Sequence, residues 1–474
     1  MASSWLHTPA SHLPPREPLF ANWALRLRHL LIIGAFLALT WVTGRLATSD
    51  KFPLFLGGPI AVIVLVVIAF RLNWGISMLL AATLFVQVGF STGTQSPLTL
   101  SLVLSAALVG IWIARMMVEE KHVRLLPSPL NRPLIVFAVV AIASTIWSNL
   151  VRDPFVVLWD SFPRVQLGAL STMILSPAMA LLVANTAKTS RMLKTIVVLF
   201  VLAGVVKLLV IYGPLKYFAP MQVRGLFPLW IIALSSGQAM FNESLPKWGR
   251  LGLGLIAGIW LFYHFVQHVS WVSGWLPPIT ALAVLAGLRS RKLLVGFAIV
   301  GLILIVGTTD FVSSTIQAES QESGTTREGA WETNWQFTRE HLFLGMGPAG
   351  YAVYYMSYIP DRAMATHSNY IDILSQLGLL GAAAFVWLLV STGWSAWQVT
   401  RKVTRGSFEH GLAFSLLAGY AGLIVAMALG DWFIPFAYTQ GIAGYDYTVW
   451  GWIIVGMIMV LHRRYVIASS AETA

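Results

Sequence analysis

Apolar runs of membrane-crossing length recur along the whole chain, divided by short polar breaks. A hydrocarbon core about 30 Å thick takes about 20 helical residues. Fourteen runs approach that length: 29–47, 53–70, 74–90, 97–118, 132–151, 165–186, 192–212, 226–242, 249–268, 271–288, 292–309, 374–398, 411–429 and 447–461. The run 226–242 is short, and Pro277 and Pro278 interrupt 271–288. The pattern therefore predicts an all-α, polytopic transmembrane bundle of about 12–14 spans. One connection breaks the rhythm. Residues 310–373 form a long polar insertion that still carries Trp331, Trp335, Phe337, Tyr351, Tyr354, Tyr355 and Tyr358. Such aromatic content argues for a folded loop. Within it "TTREGAWETNWQFTREHLF" predicts a helix with Trp331 and Trp335 one turn apart, lying near the membrane interface. Gly345, Gly347 and Gly350 then mark a turn.

Composition agrees. The chain is 57% hydrophobic and 11% charged, against about 25% charged in soluble domains. Cysteine is absent, which excludes disulfides and thiolate metal sites. The net charge of +12 does not point to nucleic acid, because the cations sit in short loops instead of one patch. With the N-terminus inside, 21 of the 31 Lys and Arg residues fall in inner segments. That two-to-one bias follows the positive-inside rule and puts both termini inside and the 310–373 loop outside. The organisation expected is an inner tail (1–28), a bundle (29–309), the long outer loop (310–373), C-terminal helices (374–461) and an inner tail (462–474). The first twenty residues show no cleavable signal pattern, so 29–47 is expected to remain as a span.

The outer ends hold the candidate chemistry. "THSNYID" puts His367, Ser368, Asn369 and Asp372 at the head of the 374–398 run. A helix N-terminus presents unpaired N–H groups and favours anions. The plain alternative is an interfacial cap made by Ser368 or Asn369. Outer arginines run against the charge bias, so each needs a local reason. Arg224 stands in "MQVRGLFP", at the mouth of a span, and Arg327 opens the loop helix. Snorkelling to headgroups explains Arg152, Arg339 and Arg362. Guanidinium forks bind phosphate oxygens, and a near-neutral histidine takes a proton from a hydroxyl.

These residues also carry a resemblance. "HSNYIDILSQLGLLG" resembles the signature of the O-antigen ligase and O-antigen polymerase superfamily: His367, Ser368, nine residues, Gly378, two residues, Gly381. The upstream Arg327, the Trp-containing helix, the Gly-x-Gly turn and Tyr351 are similar to that family, as is "VRGLFP". The resemblance implies a metal-free and nucleotide-free glycosyltransferase of the bacterial inner membrane, working on its outer, periplasmic face. It would move a glycan from undecaprenyl pyrophosphate to an acceptor hydroxyl on a glycan, lipid or protein, with inversion. His367 would be the catalytic base, and Arg224 and Arg327 the pyrophosphate ligands. Asp431, Asn369 and Tyr351 are candidates for orienting His367 or meeting the acceptor. Polymerase, ligase and oligosaccharyltransferase all fit, with polymerase favoured. The chain departs from the family where "VSGW" (Val272–Trp275) lacks an arginine, and where Pro228-Leu229 replaces a proline–asparagine pair.

A lipid-linked glycan flippase or secondary transporter is the alternative; against it, the sequence has no internal repeat and no paired helix breaks. A structural scaffold would not need His367 or the outer arginines. His264 and His268, four apart, share a helix face, but no carboxylate stands near them in sequence, so packing is expected there rather than metal. No cofactor is expected.

Overall fold

The computed structural model describes residues 71–86, 89–91, 97–213, 225–307, 325–360, 365–437 and 441–469. All lie in the compact unit that runs from Ile63 to Ala474. The expected spans 29–47 and 53–70 lie outside the described residues.

The architecture is an all-α bundle. In chain order the helices are α1 (Leu72–Phe85), α2 (Leu100–Arg115), α3 (Asn131–Leu150), α4 (Phe162–Thr186), α5 (Ser190–Tyr212), α6 (Phe227–Phe241), α7 (Lys247–Phe262), α8 (Val272–Arg289) and α9 (Arg291–Gly307). After α9 come α10 (Thr325–Thr338), α11 (Gly350–Tyr358), α12 (Asn369–Lys402), α13 (Phe408–Leu429) and α14 (Tyr445–His462). Short π-helical turns extend α2 over Met116–Glu120 and α7 over Tyr263–Gln267. Among the described residues, nine helical segments are long and apolar enough to cross a membrane, and α1 and α6 are shorter apolar helices. The only sheet among them is a two-residue antiparallel pairing, Gly89–Phe90 with Leu98–Thr99.

Local chemistry starts these helices. Thr99 accepts the N–H of Leu102, Thr189 that of Met192, and Ser407 that of His410, each satisfying a first-turn donor. Pro277 and Pro278 do not split α8, which runs unbroken from Val272 to Arg289. Gly422 of α13 lies against the Pro277 carbonyl, where a Cβ would come within 2.5 Å. The bare glycine lets the two backbones approach.

The hub is α14. Every residue from Tyr445 to His462 is buried, as an apolar helix must be when neighbours cover all its faces. Gly456 admits α4 at Val183, and Gly451 admits the ring of Phe433. Around it the helices alternate in direction. The C-terminal ends of α2 and α4 and the approach to α3 meet at one end, where Asn185 Oδ1 accepts the N–H of Leu126 at 2.7 Å. At the other end, the connection after α3 meets the long loop. There Val156, Phe162 and Ala169 pack with Met346, Tyr351, Val353, Tyr354 and Tyr355. The loop is thus folded onto the bundle, as its aromatic content predicts.

Candidate active site

The site is built around a break in α12. Gly378 has φ 66° and ψ −165° inside an otherwise continuous 34-residue helix. That conformation belongs essentially to glycine. The gap is filled by the backbone of the Gly-x-Gly turn. Met346 N–H donates to Ser375 O and Gly347 N–H to Gln376 O, both at 2.9 Å. In return, Leu379 N–H donates to Leu342 O at 2.7 Å. Each glycine has a reason. A Cβ on Gly345 would lie 2.4 Å from the Gln376 carbonyl, and one on Gly347 would lie 2.1 Å from Ser148 Oγ of α3. Ser144 of α3 sits beneath, its Oγ 2.6 Å from Leu344 O and 2.7 Å from Gln376 O, so one proton is shared between a carbonyl of the turn and one freed by the break. The Gln376 side chain completes the splice by accepting Ala349 N–H at 2.8 Å. The uninterrupted span 374–398 read from hydropathy is therefore corrected: α12 begins at Asn369, and its first turns form a separate half-helix.

His367 stands at the head of that half-helix. It is partly exposed, while Ser368, Asn369 and Asp372 are buried. Its φ of 49° is left-handed, a strained state for a side-chain-bearing residue. Neighbours on both sides hold it there. Trp331 Nε1 donates to Thr366 O at 2.7 Å. Asn369 Nδ2 donates to Ile434 O at 2.8 Å, and its Oδ1 accepts Phe433 N–H at 2.9 Å. The cap expected from Ser368 or Asn369 is corrected. Ser368 takes the N-cap position without a side-chain bond to the helix, and Asn369 turns away to bolt down the loop after α13.

That loop, 430–437, joins the site together. Trp452 Nε1 donates to Phe433 O at 2.8 Å, and the two rings stack at 4.1 Å. Asp431 is fully buried, and its Oδ2 accepts Phe436 N–H at 3.1 Å, closing the turn on itself. Asp431 also lies within electrostatic reach of Asp372. Asp446 is bonded instead by Ser101 Oγ of α2.

Arg327 lies on α10, four residues before Trp331, whose indole donates to Thr366 O. Arg224 falls outside the described residues. Its successor Gly225 has φ 51° and touches the Tyr447 ring, where a Cβ would come within 2.5 Å. Tyr447 packs on Trp432 at 5.8 Å, which leads back to Asp431. Lys207, inside the run 192–212, is 2% exposed within α5, with Nζ 5.3 Å from the Phe227 ring. An intramembrane lysine marks function by default. Its signal was in the sequence, a lone cation inside "VLAGVVKLLVIY".

Tyr351 is 4% exposed, and its hydroxyl donates to Ala330 O at 3.3 Å. Burial, then the nearby Asp372 and Tyr355 charges, push this phenol up, so it stays a donor. It ties α11 to α10. Beyond it, Asp153 accepts from Tyr358, and the Tyr354 hydroxyl accepts Asp153 N–H at 3.1 Å. The Tyr358 bond, then the Phe155 N–H, hold the Asp153 carboxyl below its ordinary value. His264 is 2% exposed and packs among Trp260, Tyr263, His268 and Trp271, an aromatic cluster. Among the described residues no three metal-ligating side chains converge.

Comparison with known families follows this geometry. Residues 248–386 match the family model described as O-antigen ligase. The matched stretch runs from α7 into α12 and includes α10, the Gly-x-Gly turn, His367 and the break at Gly378. The resemblance read from the sequence holds over it. No curated protein matches the chain.

Proposed function

From the match of residues 248–386 to the O-antigen ligase family model, we propose that this multi-pass membrane protein is an inverting, metal-independent glycosyltransferase acting at the outer face of the bacterial inner membrane. The donor is a glycan on undecaprenyl pyrophosphate, and the acceptor is a sugar hydroxyl. Polymerisation onto a second lipid-linked glycan is the favoured outcome. Transfer to a lipid core or a protein hydroxyl are the other two.

The observation that carries this reading is His367: partly exposed, left-handed, and anchored on both sides by Thr366 and Asn369 at the head of a half-helix. The acceptor oxygen attacks the anomeric carbon while the bond from that carbon to the pyrophosphate oxygen breaks. His367 takes the acceptor's proton. Undecaprenyl pyrophosphate leaves with the bonding electron pair, and in-line displacement inverts the anomeric centre. Arg224 and Arg327 balance the charge that grows on the leaving group. Asp431 and Asn369 shape the loop behind His367, and Tyr351 holds α10, with Arg327, in place.

The test is product analysis on purified protein in lipid bilayers, supplied with undecaprenyl-pyrophosphate glycan, beside His367→Ala. A ladder of longer lipid-linked chains that the variant loses supports polymerase. A single transfer that requires added lipid core or protein supports ligase or oligosaccharyltransferase. Absence of released undecaprenyl pyrophosphate under all conditions overturns the enzyme reading in favour of transport. Arg327→Lys keeps the charge but loses the fork, so turnover falls about tenfold or more if phosphate is held bidentately; unchanged turnover removes Arg327 from the site.

A further inference from the structure

A cavity lined by several cations lies at the opposite ends of the helices. Its volume is about 790 Å³, within the range of small-ligand sites. The head of α1, the π turn after α2, the connection 121–130 and the end of α4 form its walls. Asn185 holds that connection in place through the Leu126 N–H. Since α4 runs 25 residues from the Tyr354 cluster to this cavity, the two sites stand about 37 Å apart along the helix. The charge bias assigns this end to the inner leaflet.

Arg71, Arg115, Arg124 and Lys188 all line the cavity. Arg115 is neutralised by Glu119 at 3.0 Å, the only ion pair among the described residues. Three cations then face one further carboxylate, Glu120. Several inner-end cations elsewhere are matched inside the protein. Arg463 donates to Ala184 O, Arg250 to Ala239 O, and Arg401 lies 4.5 Å from the Trp397 ring. Here the cations surround space instead. The first turn of α1 also opens on the cavity and holds no acidic residue. The Trp74 N–H is already taken by Arg71 O at 2.8 Å, so the helix end contributes its positive dipole to the cavity. Buried Trp112 and Leu72 add an apolar wall. Like charges around a cleft beside a low-dielectric bundle repel until an anion joins them. Basic pockets at this depth suit anionic headgroups.

We infer that this cavity is a binding site for a phosphate group, supplied by the headgroup of an anionic inner-leaflet phospholipid whose acyl chains follow the apolar wall. Phosphate oxygens meet Arg71, Arg124 and Lys188 beside the positive end of α1. This site is independent of the transfer reaction proposed for the other face.

The experiment uses the full chain in nanodiscs of phosphatidylcholine with or without cardiolipin, read by native mass spectrometry and by thermal unfolding. Cardiolipin should be retained and should raise the melting temperature. The triple variant Arg71→Gln, Arg124→Gln, Lys188→Gln should retain it about a hundredfold more weakly. The matched variant Arg401→Gln, Lys402→Gln, Arg405→Gln removes equal charge from the same side and should retain it normally. Equal loss in both variants overturns the inference, leaving only diffuse surface attraction. If the triple variant fails to fold, the wild type still decides: no selective shift with cardiolipin over phosphatidylcholine also overturns it. Inorganic pyrophosphate added to pure phosphatidylcholine discs separates the sources. Protection by it, lost in the triple variant, keeps the phosphate chemistry and assigns it to a soluble ligand.

Discussion

Two helices of the bundle look alike as sequence and behave oppositely as structure. α14 is a continuous, wholly buried rod. α12 is broken at Gly378, and the break is mended by a loop from outside the bundle. Both contain internal glycines, and both have membrane-crossing hydropathy. In α14 the glycines keep helical geometry and only make room for neighbours. In α12 the glycine leaves the helix and frees carbonyls that the Gly-x-Gly turn and Ser144 then occupy. Glycine thus has two uses in one bundle: close packing, and a change of chain direction. The second use accompanies His367, because a half-helix bolted to the long loop can hold a partly exposed histidine where a simple span would place lipid.

This contrast can be broken experimentally. The largest expected effect is at the head of α12: His367→Ala should lower transfer by about 10²–10⁴-fold with unchanged thermal unfolding, whereas no α14 substitution should separate the two readouts so cleanly. Next comes a matched pair. Gly378→Ala meets both a glycine-only conformation and a Cβ 2.5 Å from the Phe343 carbonyl carbon. It should cut turnover about tenfold or more through misplacement of the half-helix. Gly456→Ala, with a Cβ 2.6 Å from Val183 Cβ, should instead cost about 1–3 kcal/mol of stability and leave turnover per folded molecule intact. Equal turnover losses in the pair would erase the distinction drawn between the helices.

Ser144→Ala sharpens it further. Leu344 O loses its donor and Gln376 O keeps only the Gly347 N–H, at about 1–3 kcal/mol for an unsatisfied buried group. Hydrogen exchange should accelerate at 342–349 and 375–380 while α14 amides stay protected. The smallest effect concerns the loop's outer anchor. Asp153 has a lowered folded value, so its stabilisation is present above the ordinary carboxylate range and is lost as pH falls through the folded value. Proteolysis of α11 should quicken modestly at about pH 3 relative to pH 7, and Asp153→Asn should remove that difference.

Much of this could be read in advance. Hydropathy found the twelve described bundle helices to within a few residues, except at α12, because span length and apolarity are one-dimensional properties. The Trp331–Trp335 helix and the glycine turn were likewise legible, since periodicity and turn chemistry are local. The signature around His367 was visible as letters. Its physical meaning was not: the glycine eleven residues after His367 proved to be the splice point for Gly345 and Gly347. Asn369 carried every mark of a cap, yet its partners lie 64 and 65 residues ahead.

What the sequence determined alone was the solvent: a chain this apolar, with cations biased to one side, must thread a bilayer as helices, since every backbone polar group there needs an internal partner. What only the tertiary structure decided was where that rule is relaxed. Helix α12 breaks because the turn at 342–347 supplies, from outside the helix, the hydrogen bonds it gives up, and no local stretch of sequence records that exchange.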